Sequence, residues 1–123
     1  MCVDVTSPCL VCELAAPTAT ASKDSQGTGR CVRQAAANVP DVDGILFEAG
    51  RLWAVQNSNQ VTELRLSPDL SSATVERVIT SGQFQVPTTV ARQGSRLAVV
   101  NAKFDTGFPP TATSFEVVIV DGR

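Results

Sequence analysis

From residue 39 to its end, the chain consists of short apolar or alternating runs separated by turn residues. The run 44–47 and the run 51–55 flank the turn Glu48-Ala49-Gly50, and the second run is apolar on both faces, as in a buried strand. Run 61–66 alternates, with Thr62, Leu64 and Leu66 on one face and Val61, Glu63 and Arg65 on the other. After a Ser-Pro-Asp break, run 73–79 completes the pattern. These runs predict one four-stranded antiparallel meander.

The same pattern then restarts. Run 86–91 corresponds to the first strand of the meander, run 96–101 to the second and run 115–120 to the third, after an inserted loop over 102–114. Matching Gly44 to Thr88 gives an offset of 44, and matching Leu52 to Leu97 gives 45. A four-strand repeat of about 40 to 50 residues is the period of a propeller blade. The sequence therefore predicts an all-β fold, a partial β-propeller of about two blades over 39–82 and 83–123.

The repeat carries a family resemblance over 39–123. Its motifs are Val39-Pro40, Asp43-Gly44-Ile45, Gly50-Arg51-Leu52-Trp53-Ala54-Val55 and Gln60-Val61, followed by the second-repeat runs 86–91 and 96–101. These resemble the C-terminal blades of the gluconolactonase and regucalcin-like six-bladed propellers, the senescence marker protein type, often grouped with NHL-type propellers.

The resemblance implies a cation-dependent hydrolase. Family members bind one divalent cation, calcium or zinc, through a Glu, an Asn and an Asp on different blades, and the cation polarises the carbonyl of a lactone or sugar-acid substrate. The Asp ligand opens an Asp-Gly pair, which makes Asp43 the candidate, with Asp41 as a competitor and a simple turn at Asp43-Gly44 as the alternative. The other ligands lie on blades for which this chain has no sequence, so we do not expect the segment alone to be catalytically competent.

Three further side chains are candidates for a ligand-facing role. Asn57 and Asn101 end the second strand of each repeat and are candidates to face the channel, or to cap their own backbone. Trp53 is either a ligand platform or a side chain packed between blades.

All four cysteines lie in the first 31 residues, within an irregular or disordered arm predicted over 1–38. The spacing C-x6-C-x2-C-x18-C leaves two alternatives for Cys2, Cys9, Cys12 and Cys31: a zinc site, or disulfides and free thiols.

Composition excludes several classes of function. The chain has no histidine, which removes Ser/His/Asp and Cys/His nucleophile pairs and histidine acid–base chemistry. The net charge of -2 gives no basic footprint, so neither nucleic acid nor membrane is expected as a partner. The alanine-rich sequence up to Ala21 leans toward secretion, but Glu13 interrupts its apolar run and no convincing signal peptide results. The compartment is left unassigned.

Two classes of function stay open, and with them the question of whether the chain is an enzyme. One is the C-terminal part of a lactonase-like hydrolase that contributes Asp43. The other is a non-catalytic propeller-type interaction module, or a degenerate fragment, that self-associates through open strand edges. A stand-alone β-sandwich is a third interpretation of the same strands.

Overall fold

The computed structural model describes residues 21–23, 29–31 and 37–123 of the 123-residue chain. Within these residues the protein is all-β, with a single short 3-10 helix, η1, and no α-helix. The elements are β1 (Ala21–Lys23), β2 (Gly29–Cys31), β3 (Val42–Glu48), β4 (Arg51–Gln56), β5 (Gln60–Leu66), β6 (Ala73–Thr80), β7 (Pro87–Gln93), β8 (Arg96–Asn101), η1 (Phe104–Thr106) and β9 (Val117–Asp121).

The predicted N-terminal arm is described over two short stretches and its last two residues. β1 and β2 form an antiparallel pair in which Ala21 lies opposite Cys31, so this part is not irregular. Cys2, Cys9 and Cys12 lie outside the described residues, and Cys31 is described for its backbone alone. The zinc and disulfide alternatives therefore stay predictions.

The main body consists of two antiparallel sheets in which each strand pairs with its neighbour in sequence. The first sheet has the order β3-β4-β5-β6 and the second the order β7-β8-β9. The β3–β4 turn has positive φ at Ala49 (50°) and Gly50 (77°), as a tight two-residue hairpin turn requires. The meander prediction is confirmed, although β9 begins at Val117 and not at Phe115 as the sequence predicts.

A β-bulge interrupts β3. We call β3 and β7, the first strand of each sheet, the inner strands. Val42 lies opposite Gln56 and Gly44 lies opposite Val55, so Asp43 has no partner in the ladder. A residue left over in this way is turned out of the regular alternation, which lets a bulge re-aim a side chain. The alternative interpretation of Asp43-Gly44 as a turn is therefore wrong: the pair lies inside β3.

The second sheet repeats this bulge at the same place. Its ladder skips Thr88, passing from Pro87 directly to Thr89. Thr89 therefore occupies the ladder position of Gly44, and the offset between repeats is 45 residues in both strands. The offset of 44 predicted for the inner strand is wrong by one residue, because the alignment placed Gly44 on the bulged Thr88.

The two sheets pack face to face around one apolar core. β7 contacts both β3 and β4. Trp53 is 1% exposed in this core, and the guanidinium of Arg92 lies 4.4 Å from its ring centroid. The ring is thus packed between the sheets, one of the two alternatives for it, and gains a cation–π contact. The buried members of the core are Trp53, Val55, Val61, Ile79, Phe84, Val90, Leu97, Val99 and Val118.

Gly44 marks the closest approach of the two sheets. A Cβ built on Gly44 would collide with the backbone carbonyl oxygen of Thr88 and would lie 3.3 Å from the Cα of Thr89. Because these are backbone atoms of the neighbouring sheet, no rotamer change can make room. A glycine is needed here for space and not for its backbone angles, since its φ is not positive.

A second apolar cluster covers the other face of the first sheet. Val39 is 4% exposed and packs with side chains of β4 and β5, so the segment that leads into β3 is part of this cluster. The buried members are Val39, Leu52, Ala54, Leu64 and Leu66. The first sheet is therefore apolar on both faces, which explains why β4 has no exposed residue.

One buried carboxylate lies within the first sheet. Glu63 is 2% exposed, and its Oε1 accepts a 2.8 Å hydrogen bond from Arg51 Nη1. Its Oε2 accepts a 3.0 Å bond from Arg77 Nε, and Arg77 Nη2 lies 2.8 Å from the same oxygen. Each oxygen of the carboxylate therefore accepts a hydrogen bond from a guanidinium group. These bonds compensate for the removal of the negative charge from water.

Candidate functional site

Asp43 lies where the inner strands of both sheets begin. The bulge turns its carboxylate toward the β4–β5 turn, where Asn57 Nδ2 donates a 3.2 Å hydrogen bond to Asp43 Oδ2. The neighbouring Asp41 is exposed, has a φ of 58°, and accepts a 2.9 Å bond from Asn57 N through its carbonyl oxygen. The two candidate aspartates therefore differ: Asp43 presents a held carboxylate, whereas Asp41 forms the turn.

The β4–β5 turn joins the two sheets at this end. Asn57 Nδ2 also donates to Pro87 O at 3.0 Å, and Asn59 Oδ1 accepts a 2.8 Å bond from Val86 N. Asn57 is half-buried, and its side chain spans the start of β3 and the start of β7. Both amide side chains therefore fix the entry of the second sheet against the first, and Asn57 also orients the Asp43 carboxylate.

Asn101 holds the loop that precedes β7. It is 1% exposed, its Oδ1 accepts a 2.9 Å bond from Gln85 N, and its Nδ2 donates a 2.8 Å bond to Gln83 O. Both ends of its amide therefore bond to backbone groups of the segment 83–85. Unlike Asn57, which follows its strand, Asn101 is the last residue of β8.

Gln56 is the structural counterpart of Asn101 in the first sheet, and no pattern in the sequence singles it out. It ends β4, is 1% exposed and donates a 2.7 Å bond from Nε2 to Pro40 O. Its Oε1 accepts bonds from Thr62 Oγ1 at 2.5 Å and from Gln60 Nε2 at 2.8 Å. In both repeats, a buried amide at this ladder position holds the segment that leads into the inner strand.

The described residues supply only a partial set of cation ligands. Among them, no three Asp, Glu or Cys side chains converge into a group that could hold a metal ion. The oxygens within hydrogen-bond distance of Asn57 are the carboxylate of Asp43 and the carbonyls of Pro87 and Asp41, whereas calcium takes six to eight oxygen ligands. This end of the sheets could therefore contribute one carboxylate to a larger oxygen site.

The loop 102–116 lies at the same end of the fold, because it follows β8. The rings of Phe104 and Phe108 are 5.4 Å apart, and Phe108 is 88% exposed. Lys103 Nζ donates a 2.7 Å bond to Glu116 Oε1, and this bond holds the pKa of Glu116 below its usual value. An exposed aromatic pair thus stands near the end of the sheets that carries Asp43.

The second sheet has an apolar face that no described residue covers. Positions that alternate with the core residues Val90, Val99 and Val118 point away from the first sheet. We call this surface the open face. Its members are Thr89, Ala91, Ala98, Val100, Val117 and Ile119, and the same face continues at one end with the polar residues Gln93, Arg96 and Asp121. Val117 is 57% exposed and Ile119 is 45% exposed.

β9 is also an edge strand. On one side it pairs with β8, and no described strand pairs with its other side. Two surface depressions of about 620 and about 450 Å³ are lined by its two halves, the first together with 82–85 and the second together with Ser95 and Arg96. An exposed edge that also carries apolar side chains is a ready template for another strand.

The comparisons with known proteins give no relative. No family model, no curated protein and no solved structure matches the chain. In the part of the chain that the structure describes, no helix has the length and apolar character needed to cross a membrane.

Proposed function

We propose that this chain is a non-catalytic interaction module built from two consecutive blades of a propeller-type fold, and that the open face binds a protein surface. The arrangement of the two sheets supports this interpretation over a β-sandwich. Each sheet is an uninterrupted meander, whereas sandwich topologies usually carry strands from one sheet to the other.

The way in which the two sheets pack against each other also supports successive blades over a β-sandwich. Val90, Leu97 and Val99 of the second sheet face the core, and with the offset of 45 their counterparts are Ile45, Leu52 and Ala54. Those counterparts lie on the face of the first sheet that is turned away from the second. The sheets therefore stack in the same direction, front to back, as successive blades do.

The exposure of β9 is the observation that carries the proposal. In the first sheet, Val61 and Glu63 occupy the places of Val117 and Ile119, and both are buried. Because the sheets stack front to back, the face of the second sheet that carries Val117 and Ile119 stays exposed. The equivalent face of the first sheet is covered by the second sheet. An apolar surface of this kind loses unfavourable contact with water when a partner covers it.

The first prediction concerns this face. Replacing both Val117 and Ile119 with serine should raise the dissociation constant of any complex formed through the open face by at least about tenfold, because two half-exposed aliphatic side chains lose their apolar burial. Sedimentation velocity over a concentration series, with chelator present, measures self-association directly.

β6 offers a matched control. Val75 and Val78 are 48% and 49% exposed, so replacing both with serine removes a similar apolar area from a different strand. This control should associate like the wild type. The proposal is wrong if the two double variants weaken association equally, or if neither changes it.

A second candidate function is a contribution to a divalent-cation site, as the lactonase-like resemblance implies. The favouring observation is the bulge that turns the Asp43 carboxylate to the end of the inner strands, where Asn57 orients it. In this candidate, Asp43 supplies one ligand, and the remaining ligands and the lactone or sugar-acid substrate belong to blades that this chain does not contain. The cation would polarise the substrate carbonyl.

The second prediction tests that candidate. With calcium in the millimolar range, the backbone and side-chain NMR signals of Asp43 and Asn57 should shift, since a single carboxylate binds calcium weakly. Asp43→Asn should abolish these shifts. Asp105→Asn, a substitution of an exposed aspartate in the 102–116 loop, should leave them unchanged. Shifts that survive Asp43→Asn would exclude Asp43 as the ligand.

A further inference from the structure

We propose that a second copy of this chain pairs antiparallel with β9, the strand that borders the open face, about a two-fold axis at Ile119. The inference rests on the interaction-module proposal and adds to it the partner, the strand and the register. Three properties of β9 lead to it: the direction of its backbone groups, the symmetry of those groups, and its place in the sheet.

The backbone of β9 directs alternate residues toward and away from β8. Glu116 O accepts a 3.0 Å bond from Asn101 N, and Gly122 N donates a 2.9 Å bond to Ser95 O. In an antiparallel ladder, the residues that exchange bonds with one neighbour alternate with residues that point to the other side. Even-numbered residues of β9 therefore bond to β8, and the N–H and C=O groups of Val117, Ile119 and Asp121 point outward.

These outward groups are self-complementary. If Ile119 of one copy lies opposite Ile119 of the other, Val117 lies opposite Asp121 and Asp121 opposite Val117. Each of the three pairs then joins residues that both point to the shared edge, so each exchanges two backbone bonds. An isologous interface requires this property, because a two-fold axis places the same surface on both sides.

The position of this edge in the sheet and its charges favour the same pairing. In the first sheet, β6 pairs with β5 along the corresponding edge, so a second β9 would take the place of that fourth strand. In the proposed register no like charges lie directly opposite each other. Glu116 of one copy comes opposite Gly122 of the other, next to the oppositely charged Arg123. The open faces of the two copies would lie on the same side of the joined sheet, with Ile119 beside Ile119 and with Asp121 of each copy beside Val117 of the other.

The third prediction is that Ile119→Pro weakens the dimer. Proline removes the outward N–H of Ile119 and leaves the β8–β9 bonds intact, because that N–H does not point to β8. The substitution deletes both bonds of the central pair and should raise the dimer dissociation constant by at least about tenfold. Sedimentation equilibrium measures the constant, and a thermal melt followed by circular dichroism checks that the fold is kept.

Comparison with the Val117→Ser/Ile119→Ser variant separates edge pairing from burial of the open face. Weakening by both variants supports both proposals. Weakening by the serines alone overturns edge pairing and leaves the interaction module standing, whereas weakening by proline alone supports edge pairing and overturns the role of the apolar face. If neither variant weakens the dimer, or if the wild type is a monomer, both proposals fall.

Hydrogen exchange of the wild type tests the pairing of β9 without any substitution. It therefore replaces the proline variant as the test if Ile119→Pro does not fold. The amide of Val118 should be protected at every protein concentration, since it bonds to β8. The amide of Ile119 should exchange fast in dilute solution and become protected as the dimer forms. Fast exchange of Ile119 at concentrations where the chain is dimeric would overturn the pairing.

Discussion

Gly44→Ala should lower the free energy of unfolding by about 3 kcal/mol, the upper end of the usual cost of overpacking. The added Cβ would meet the carbonyl oxygen of Thr88, a backbone atom of the second sheet, so relief requires the two sheets to move apart. Separation would loosen the core around Trp53 as well. Urea unfolding of the purified chain measures the loss.

Gly82→Ala is the control for this substitution. Gly82 does not have a positive φ, and a Cβ built there meets no atom within 4 Å. Its replacement should change stability by no more than about 0.5 kcal/mol, with a small gain from the stiffer unfolded chain. Equal costs at Gly44 and Gly82 would show that the two sheets do not approach each other as described.

Glu63→Ala should cost about 3 kcal/mol of stability. Removing one partner of a buried ion pair leaves the other without compensation, at a typical cost of about 3–5 kcal/mol. The side chains of Arg51 and Arg77 retain 35% and 33% exposure, so water partly compensates them and the expected loss lies at the lower end. Chemical unfolding with an unchanged denaturant slope would assign the loss to the folded state.

Glu76→Ala is the matched control for Glu63. Glu76 lies in the same charge cluster, with Arg65 Nε at 2.6 Å and Arg51 Nε at 3.8 Å, but its side chain is 28% exposed against 3% for Glu63. An exposed pair contributes about 0–1 kcal/mol. If the two alanine variants lose the same stability, burial does not set the strength of the Glu63 interactions.

The strands of the main body could be predicted from the sequence because their signals are local. Alternation and apolar runs marked β3 to β9, and turn residues such as Ala49-Gly50 separated them. The predicted start of β9 at Phe115 is wrong, because Phe115 continues the apolar run but lies outside the strand and is 52% exposed. The packing of Trp53 also followed from a local pattern, a run apolar on both faces.

Features that depend on distant partners could not be predicted. Glu63 looked like one member of an alternating strand, and its burial depends on guanidinium groups 12 and 14 residues away. Gln56 carried no signal, because the carbonyl that it holds lies 16 residues earlier. The bulge at Asp43 was hidden for the same reason: an extra residue is visible only against the ladder of the neighbouring strand.

The residues of the candidate site could be selected from the sequence, but their geometry could not. Asp43 was selected through the family resemblance, and the structure adds the bulge and the Asn57 bond that orient it. Asn57 and Asn101 looked equivalent in sequence, but Asn57 lies in the turn and bonds to the Asp43 carboxylate, whereas Asn101 is bonded to backbone groups. The open face needed the three-dimensional packing, because exposure of Val117 and Ile119 depends on which face the first sheet covers.

Sedimentation velocity of the wild-type chain, in reducing buffer with chelator and over a wide concentration range, tests the central claim most directly. The interaction module predicts a reversible, concentration-dependent shift from monomer to dimer that chelator does not change. A chain that stays monomeric at every concentration would contradict it. Association that disappears when chelator is added would equally contradict it, and would shift attention to the carboxylate of Asp43.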